Sequence, residues 1–172
     1  MKVLVTLTPA ELEDAAVGGV RRRIAGLTQG RRSTHPDTPD WKQQWWESHV
    51  IGAIGEYAVA KALGRTWDPT IGRIDQRDVG NYEVRTTQLP NPVLRYRIHN
   101  DASAWYILCS YKRDQVLIHG WLPGQTVLDL GYMEHDDVYT AGPDQLYPIT
   151  DLPENVEWGP QVVPYKSGAR AR

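Results

Sequence analysis

The chain has 172 residues, a length that favours one domain whose core needs neither disulfide nor metal staples. A single cysteine, Cys109, excludes an intrachain disulfide framework, and no stretch approaches the about 20 apolar residues of a membrane-spanning helix. Net charge is −2, which argues against a generic basic nucleic-acid binder, but residues 1–113 hold 16 Lys and Arg against 12 Asp and Glu while 114–172 hold 3 against 9. Basic character is therefore concentrated in the first two thirds. Arg outnumbers Lys 14 to 5, and the planar guanidinium fork suits phosphate. All 16 large aromatics are Trp or Tyr, so each one that is buried brings an N–H or O–H in search of a partner.

The apolar opening Val3-Leu4-Val5 is too short for a signal peptide, and the chain reads as soluble and cytoplasmic, with no membrane association. A first helix starts at a capping box, with Thr8 as N-cap, Pro9 at the first helical position and Glu11 at the third. Leu12, Ala15, Ala16, Gly19, Val20 and Ile24 continue at helical spacing, and Gly30 offers a stop. Arg21, Arg22, Arg23, Arg31 and Arg32 would match the dipole at the helix end or contact phosphate.

Residues 29–40 read as a loop, followed by a second helix from Trp41, capped by Asp40, to Leu63, with Gly64 as its stop. Val50, Ile51, Ile54, Ala58 and Ala62 form its apolar face, and Gly52, Ala53 and Gly55 keep part of it thin enough for close packing. Trp41 and Trp45 share a face expected to pack partly on the sheet; with Trp46 they could instead stack bases or meet a partner. Strand patterns follow at Tyr82–Thr87, Val93–Ile98, Trp105–Tyr111 and Val116–Trp121, suggesting an antiparallel sheet core. Residues 123–172, rich in Pro, are expected to wrap the domain irregularly, with one short element near Leu146–Ile149.

Chemistry concentrates in residues 78–87. Gly80-Asn81 suits a two-residue hairpin turn that pairs Val79 with Tyr82 and sets Asp78 opposite Glu83, with Arg85 and Thr87 next on the same face. Two adjacent carboxylates repel unless a cation lies between them, and a hard divalent ion would take both together with the Val84 carbonyl. On these residues alone the plainer reading is an exposed hairpin carrying an acidic turn and a Glu–Arg surface pair, since acidic turns are common.

Further segments extend the pattern: Gly52-Ala53-x-Gly55-Glu56-x-Ala58-Val59-Ala60-Lys61, Asp78-Val79-Gly80 and Glu83-Val84-Arg85-Thr86-Thr87. They continue as Leu94-Arg95-Tyr96-Arg97 with Asp101, Trp105–Ser110, Gly120-Trp121-Leu122, and Tyr147-Pro148 with Leu152. In their order the chain resembles the PD-(D/E)XK nuclease superfamily, and within it a group of phage-encoded members. The resemblance implies an α/β restriction-endonuclease-like fold in one domain, 1–172, with a central mixed or antiparallel sheet flanked by helices: a helical part at 8–64, a sheet-forming part at 66–122 and the wrap. It also implies a Mg²⁺- or Mn²⁺-dependent endo- or exodeoxyribonuclease acting on DNA, in the host cytoplasm if the chain is phage-encoded. Asp78, Glu83 and the Val84 carbonyl would hold the metal, Glu56 would complete or extend that site, and Arg85 stands where the family usually has Lys. Arginine cannot serve as a base, although it can orient water and stabilise a phosphorane. The alternative is an inactive module of the same fold binding nucleic acid or a host protein. Gln88, Arg95, Arg97, Arg21, Arg22 and Arg23 are candidate nucleic-acid contacts, and the oligomeric state is open, a homodimer included.

Of the remaining candidates, His49 lies seven residues before Glu56 and could share its face. His99 and His119 lack a second His at metal spacing, and Cys109 reads as core.

Overall fold

A computed structural model describes residues 1–29, 39–71, 76–135, 137–153 and 163–165; for 39–45, His135 and 163–165 it describes the backbone path alone. The first strand, β1 (Lys2–Thr6), is the apolar opening itself, whose Val3 and Val5 are fully buried. Helix α1 (Pro9–Thr28) starts at the expected capping box: Thr8 Oγ1 accepts the Glu11 N–H at 3.3 Å and Glu11 Oε2 accepts the Thr8 N–H at 2.7 Å. It ends at Gln29, so Arg21–Arg23 sit more than a turn from the terminus and are not dipole-matched there. Gly30, Arg31 and Arg32 lie outside the described residues.

Helix α2 (Pro39–Ala62) begins earlier than expected, so Asp40 is its second residue and not its cap. Its end is as expected: Gly64 at φ +63° closes it, with the Arg65 N–H on the Ala60 carbonyl and the Gly64 N–H on that of Lys61. Small residues let α2 pack closely on both sides. Gly19 of α1 lies against the His49 and Val50 backbone, and a Cβ at Gly55 would collide with the Thr86 side chain of the first sheet. Gly55→Val should therefore cost about 2–3 kcal/mol through overpacking, read as a lower urea midpoint with an unchanged m-value.

Strands β2 (Tyr82–Thr87), β3 (Leu94–Arg97), β4 (Trp105–Lys112) and β5 (Gln115–Pro123) fall within about a turn residue or two of the sequence patterns. Their pairing does not follow the antiparallel expectation throughout. β2 pairs with β4 in parallel, Glu83 opposite Tyr106 and Arg85 opposite Leu108, because the chain leaves this sheet between them to form β3 elsewhere. The first sheet runs β2-β4-β5-β1 and ends on β8 (Val163–Tyr165). The second is an antiparallel sheet of β3, β7 (Val138–Ala141) and β6 (Met133–His135). Between the sheets in sequence lies α3 (Gly124–Leu130), whose Gly124 leaves no room for a Cβ beside Tyr96 and Tyr106. Where the irregular wrap is expected to begin, residues 124–141 instead carry α3, β6 and β7. Beyond them, a bridge between Trp121 and Tyr147 and a 3-10 turn at Ile149–Asp151 lie close to the short element expected near Leu146–Ile149, and residues 154–162 and 166–172 lie outside the described residues.

The molecule is thus mixed α/β, with two cores. One joins α2 and one face of the first sheet, including Ile54, Ala58, Val84, Ile107 and Ile118; the other joins the opposite face to the second sheet and α3 through Leu94, Tyr96, Tyr106, Leu108 and Val127. Three of the buried aromatics have polar partners: Tyr96 and Tyr106 hydroxyls donate to the Asn100 and Asp101 carbonyls, and Trp121 Nε1 to that of Pro148. No described helix is long and apolar enough to cross a membrane.

Candidate functional site around the edge strand

Among the described residues β2 is the outermost strand of the first sheet, and no described strand receives its outward N–H groups. The preceding turn supplies one acceptor. Gly80 (φ +57°) and Asn81 form the expected two-residue turn, closed by reciprocal Val79 and Tyr82 backbone bonds of 3.1 and 3.0 Å. Pairing stops at that bridge. Asp78 does not continue it as a ladder residue; its Oδ2 takes the Val84 N–H at 2.8 Å.

This capping contact sets Asp78 beside Glu83 and Arg85. Arg85 Nη1 lies 3.3 Å from Glu83 Oε2, 3.3 Å from the Val84 carbonyl and 3.7 Å from Asp78 Oδ2, while its guanidinium carbon stands 5.2 Å from the Tyr106 ring centre. Three oxygens therefore converge on one cationic nitrogen. Asp78, Glu83 and the Val84 carbonyl are the donors at this edge that could hold a metal ion. Among the described residues, no three or more His, Cys, Asp and Glu side chains form a metal cluster by themselves.

Glu56 approaches from α2 and is 97% buried, its side chain being 3% exposed. Arg22 grips it with two nitrogens, Nη1 to Oε1 at 2.7 Å and Nη2 to Oε2 at 2.6 Å, and also donates to the Pro69 carbonyl. Trp67 Nε1 adds a 3.4 Å contact to Oε2. Arg22 is thereby turned inward. His49 lies near this pair, its imidazole held below the ordinary range by burial and then by Arg23 and Arg22.

Burial, followed by the charges of Glu56 and Glu83, pushes the Asp78 carboxyl up to about 7 against the opposing pull of the Val84 N–H and Arg85. A carboxyl raised in the folded state contributes stability fully present below its unfolded pKa of about 4 and lost as pH rises through about 7. Asp78→Asn, which keeps an acceptor for Val84, should accordingly raise the melting temperature in EDTA at pH 8 and change it little at pH 4.

Sequence patterns did not single out Arg77. It spans Glu83 Oε1 at 3.5 Å and Asp101 Oδ2 at 2.5 Å. Asp101, also bonded to the Ser103 hydroxyl and N–H, is drawn down to about 2 by Ser103 and Arg77. A cavity of about 280 Å³ opens beside Asp78, lined among others by Arg65, Trp67 and Arg77.

The other candidates lie apart from this cluster or point elsewhere. Arg95 and Arg97 are on β3 of the second sheet, and Arg95 makes a forked pair with Glu134 at 2.7 and 2.9 Å. Arg21 and Gln88 are exposed, Arg23 is half-buried and His99 is exposed. Trp46 is exposed, and the Trp41 and Trp45 side chains lie outside the described residues. Cys109 is wholly buried and its thiol is pushed far up by that burial. His119, buried at a bulge in β5, is bonded through Nε2 to Ser110 Oγ at 2.8 Å, with its imidazole held down to about 4 by burial.

No protein-family model, curated protein or solved structure matches this chain.

Proposed function

We propose that the edge of β2 is the active centre of a metal-dependent nuclease of PD-(D/E)XK type, with a restriction-endonuclease-like arrangement of α2 and the first sheet, acting on DNA phosphodiester bonds. The observation that carries this reading is the convergence of Asp78 Oδ2, Glu83 Oε2 and the Val84 carbonyl within 3.7 Å of a single positive atom. That donor set suits Mg²⁺ or Mn²⁺, which accept one or two carboxylates and keep waters elsewhere. The raised Asp78 carboxyl fits as well, since its crowding by Glu56 and Glu83 is the repulsion a divalent ion relieves.

Asp78, Glu83 and the Val84 carbonyl would hold the ion, which when bound supplies an activated water and neutralises charge developing on the phosphate. Asp78 is kept in place by the Val84 N–H and Glu83 by Arg77. Glu56 fixes α2 against α1 through Arg22 and adds negative potential beside Asp78. Arg85, always protonated, orients water or phosphate oxygens and takes no proton.

One observation favours a second reading, a binding module of the same fold without turnover: the Arg85 guanidinium already provides the positive charge that the carboxylates need. Incubation of the purified protein with supercoiled plasmid in Mg²⁺, Mn²⁺ or EDTA separates the two. Nicking that requires metal supports the nuclease; intact plasmid together with retained DNA binding supports the module.

A further inference from the structure

We propose that Arg85 is a displaceable internal counter-ion: its guanidinium occupies the cation position of the β2 edge and must swing out for a divalent ion to enter. This inference rests on the metal-site reading above. Three contacts carry it, since the atoms around Arg85 Nη1 are the Glu83 carboxylate, the Val84 carbonyl and the Asp78 carboxylate, the same oxygens that would bind the ion. Two positive groups cannot share that space.

The geometry also makes departure easy. All three contacts use one nitrogen, none is shorter than 3.3 Å, and the side chain is 33% exposed. Arg22, by contrast, holds Glu56 with two nitrogens at 2.6 and 2.7 Å, at a carboxylate closed to solvent. Partly exposed, loosely aligned ion pairs are weak, whereas forked, buried ones are not. A divalent cation arriving at the edge therefore displaces Arg85 and leaves Arg22 in place. The guanidinium also stands 5.2 Å from the Tyr106 ring centre on β4, a contact that its departure gives up.

The test is Mn²⁺ binding, followed by calorimetry and by the electron paramagnetic resonance signal of free Mn²⁺, on wild type, Arg85→Gln and Arg85→Gln/Asp78→Ala. Removing the competing charge should tighten Mn²⁺ binding by about tenfold, and the added Asp78→Ala should abolish it. In wild type, a Mg²⁺ titration followed by side-chain ¹⁵Nε–¹H resonances should move and mobilise Arg85 while Arg22 stays unchanged, a readout that needs no variant to fold. The proposal is overturned if Arg85→Gln binds Mn²⁺ no more tightly than wild type, or if the Arg85 resonance is unmoved at Mg²⁺ concentrations that shift the Asp78 and Glu83 carboxyl carbons. Tightened binding without any DNA cleavage would retain the counter-ion and remove the nuclease; cleavage with unaltered affinity would do the reverse.

Discussion

Asp78→Ala and Glu83→Ala should each reduce Mg²⁺-dependent DNA cleavage by about a thousandfold or more, since losing a metal ligand forfeits several kcal/mol of transition-state stabilisation. The two variants differ in what else they disturb. Asp78 caps the Val84 N–H at the sheet edge, so its removal exposes a backbone donor to water, whereas Glu83 loses its contacts to Arg77 and Arg85. Circular dichroism should show both folded. Asp78→Asn is the sharper case: the same substitution that stabilises the metal-free protein at pH 8 should leave cleavage abolished, because a neutral amide cannot replace a carboxylate at a cation. A protein more stable and inactive at once is the signature of a site where function opposes stability.

The second large effect concerns Glu56. Removing one partner of a buried, forked ion pair leaves an uncompensated charge, at a cost of about 3–5 kcal/mol. Arg22→Ala should be the more damaging of the two single changes, since Glu56 is 3% exposed while Arg22 is 20% exposed and retains the Pro69 carbonyl. Arg22→Met combined with Glu56→Leu should recover most of the loss, because apolar replacement of the whole pair avoids the orphaned charge. Urea unfolding in EDTA measures all three. A Glu56 whose role were metal ligation alone would lose stability only in the metal-loaded protein.

Elements specified by neighbouring residues were legible in the sequence. The Thr8 and Glu11 capping box, the Gly64 stop and the Gly80-Asn81 turn depend on a few adjacent positions and formed as expected. β1 was not recognised as a strand, because its five residues gain meaning only beside β5 and β8, more than a hundred residues away. The parallel pairing of β2 with β4 depends on the excursion through β3, which no local pattern records. α3 starts at a glycine without a side-chain cap, and its reason lies in the closeness of Tyr96 and Tyr106.

At the candidate site, residue types were readable and their partners were not. Alternation along β2 set Glu83 and Arg85 on one face, and the turn brought Asp78 near them. The Arg22–Glu56 pair joins positions 34 residues apart on two helices, so Arg22 read from its neighbours alone looked like part of a basic helix end. Arg77 gives no signal except that it stands one residue before Asp78, and its partners Glu83 and Asp101 are set by tertiary structure.

Whether the β2 edge is a metal-dependent nuclease centre is decided by cleavage of single-stranded, duplex and branched DNA, assayed side by side with Mg²⁺, Mn²⁺ and EDTA for wild type and Asp78→Asn. Wild type should cleave at least one form in a metal-dependent way, and Asp78→Asn none. Intact DNA of every form with both metals, or equal cleavage by the two proteins, would contradict that assignment.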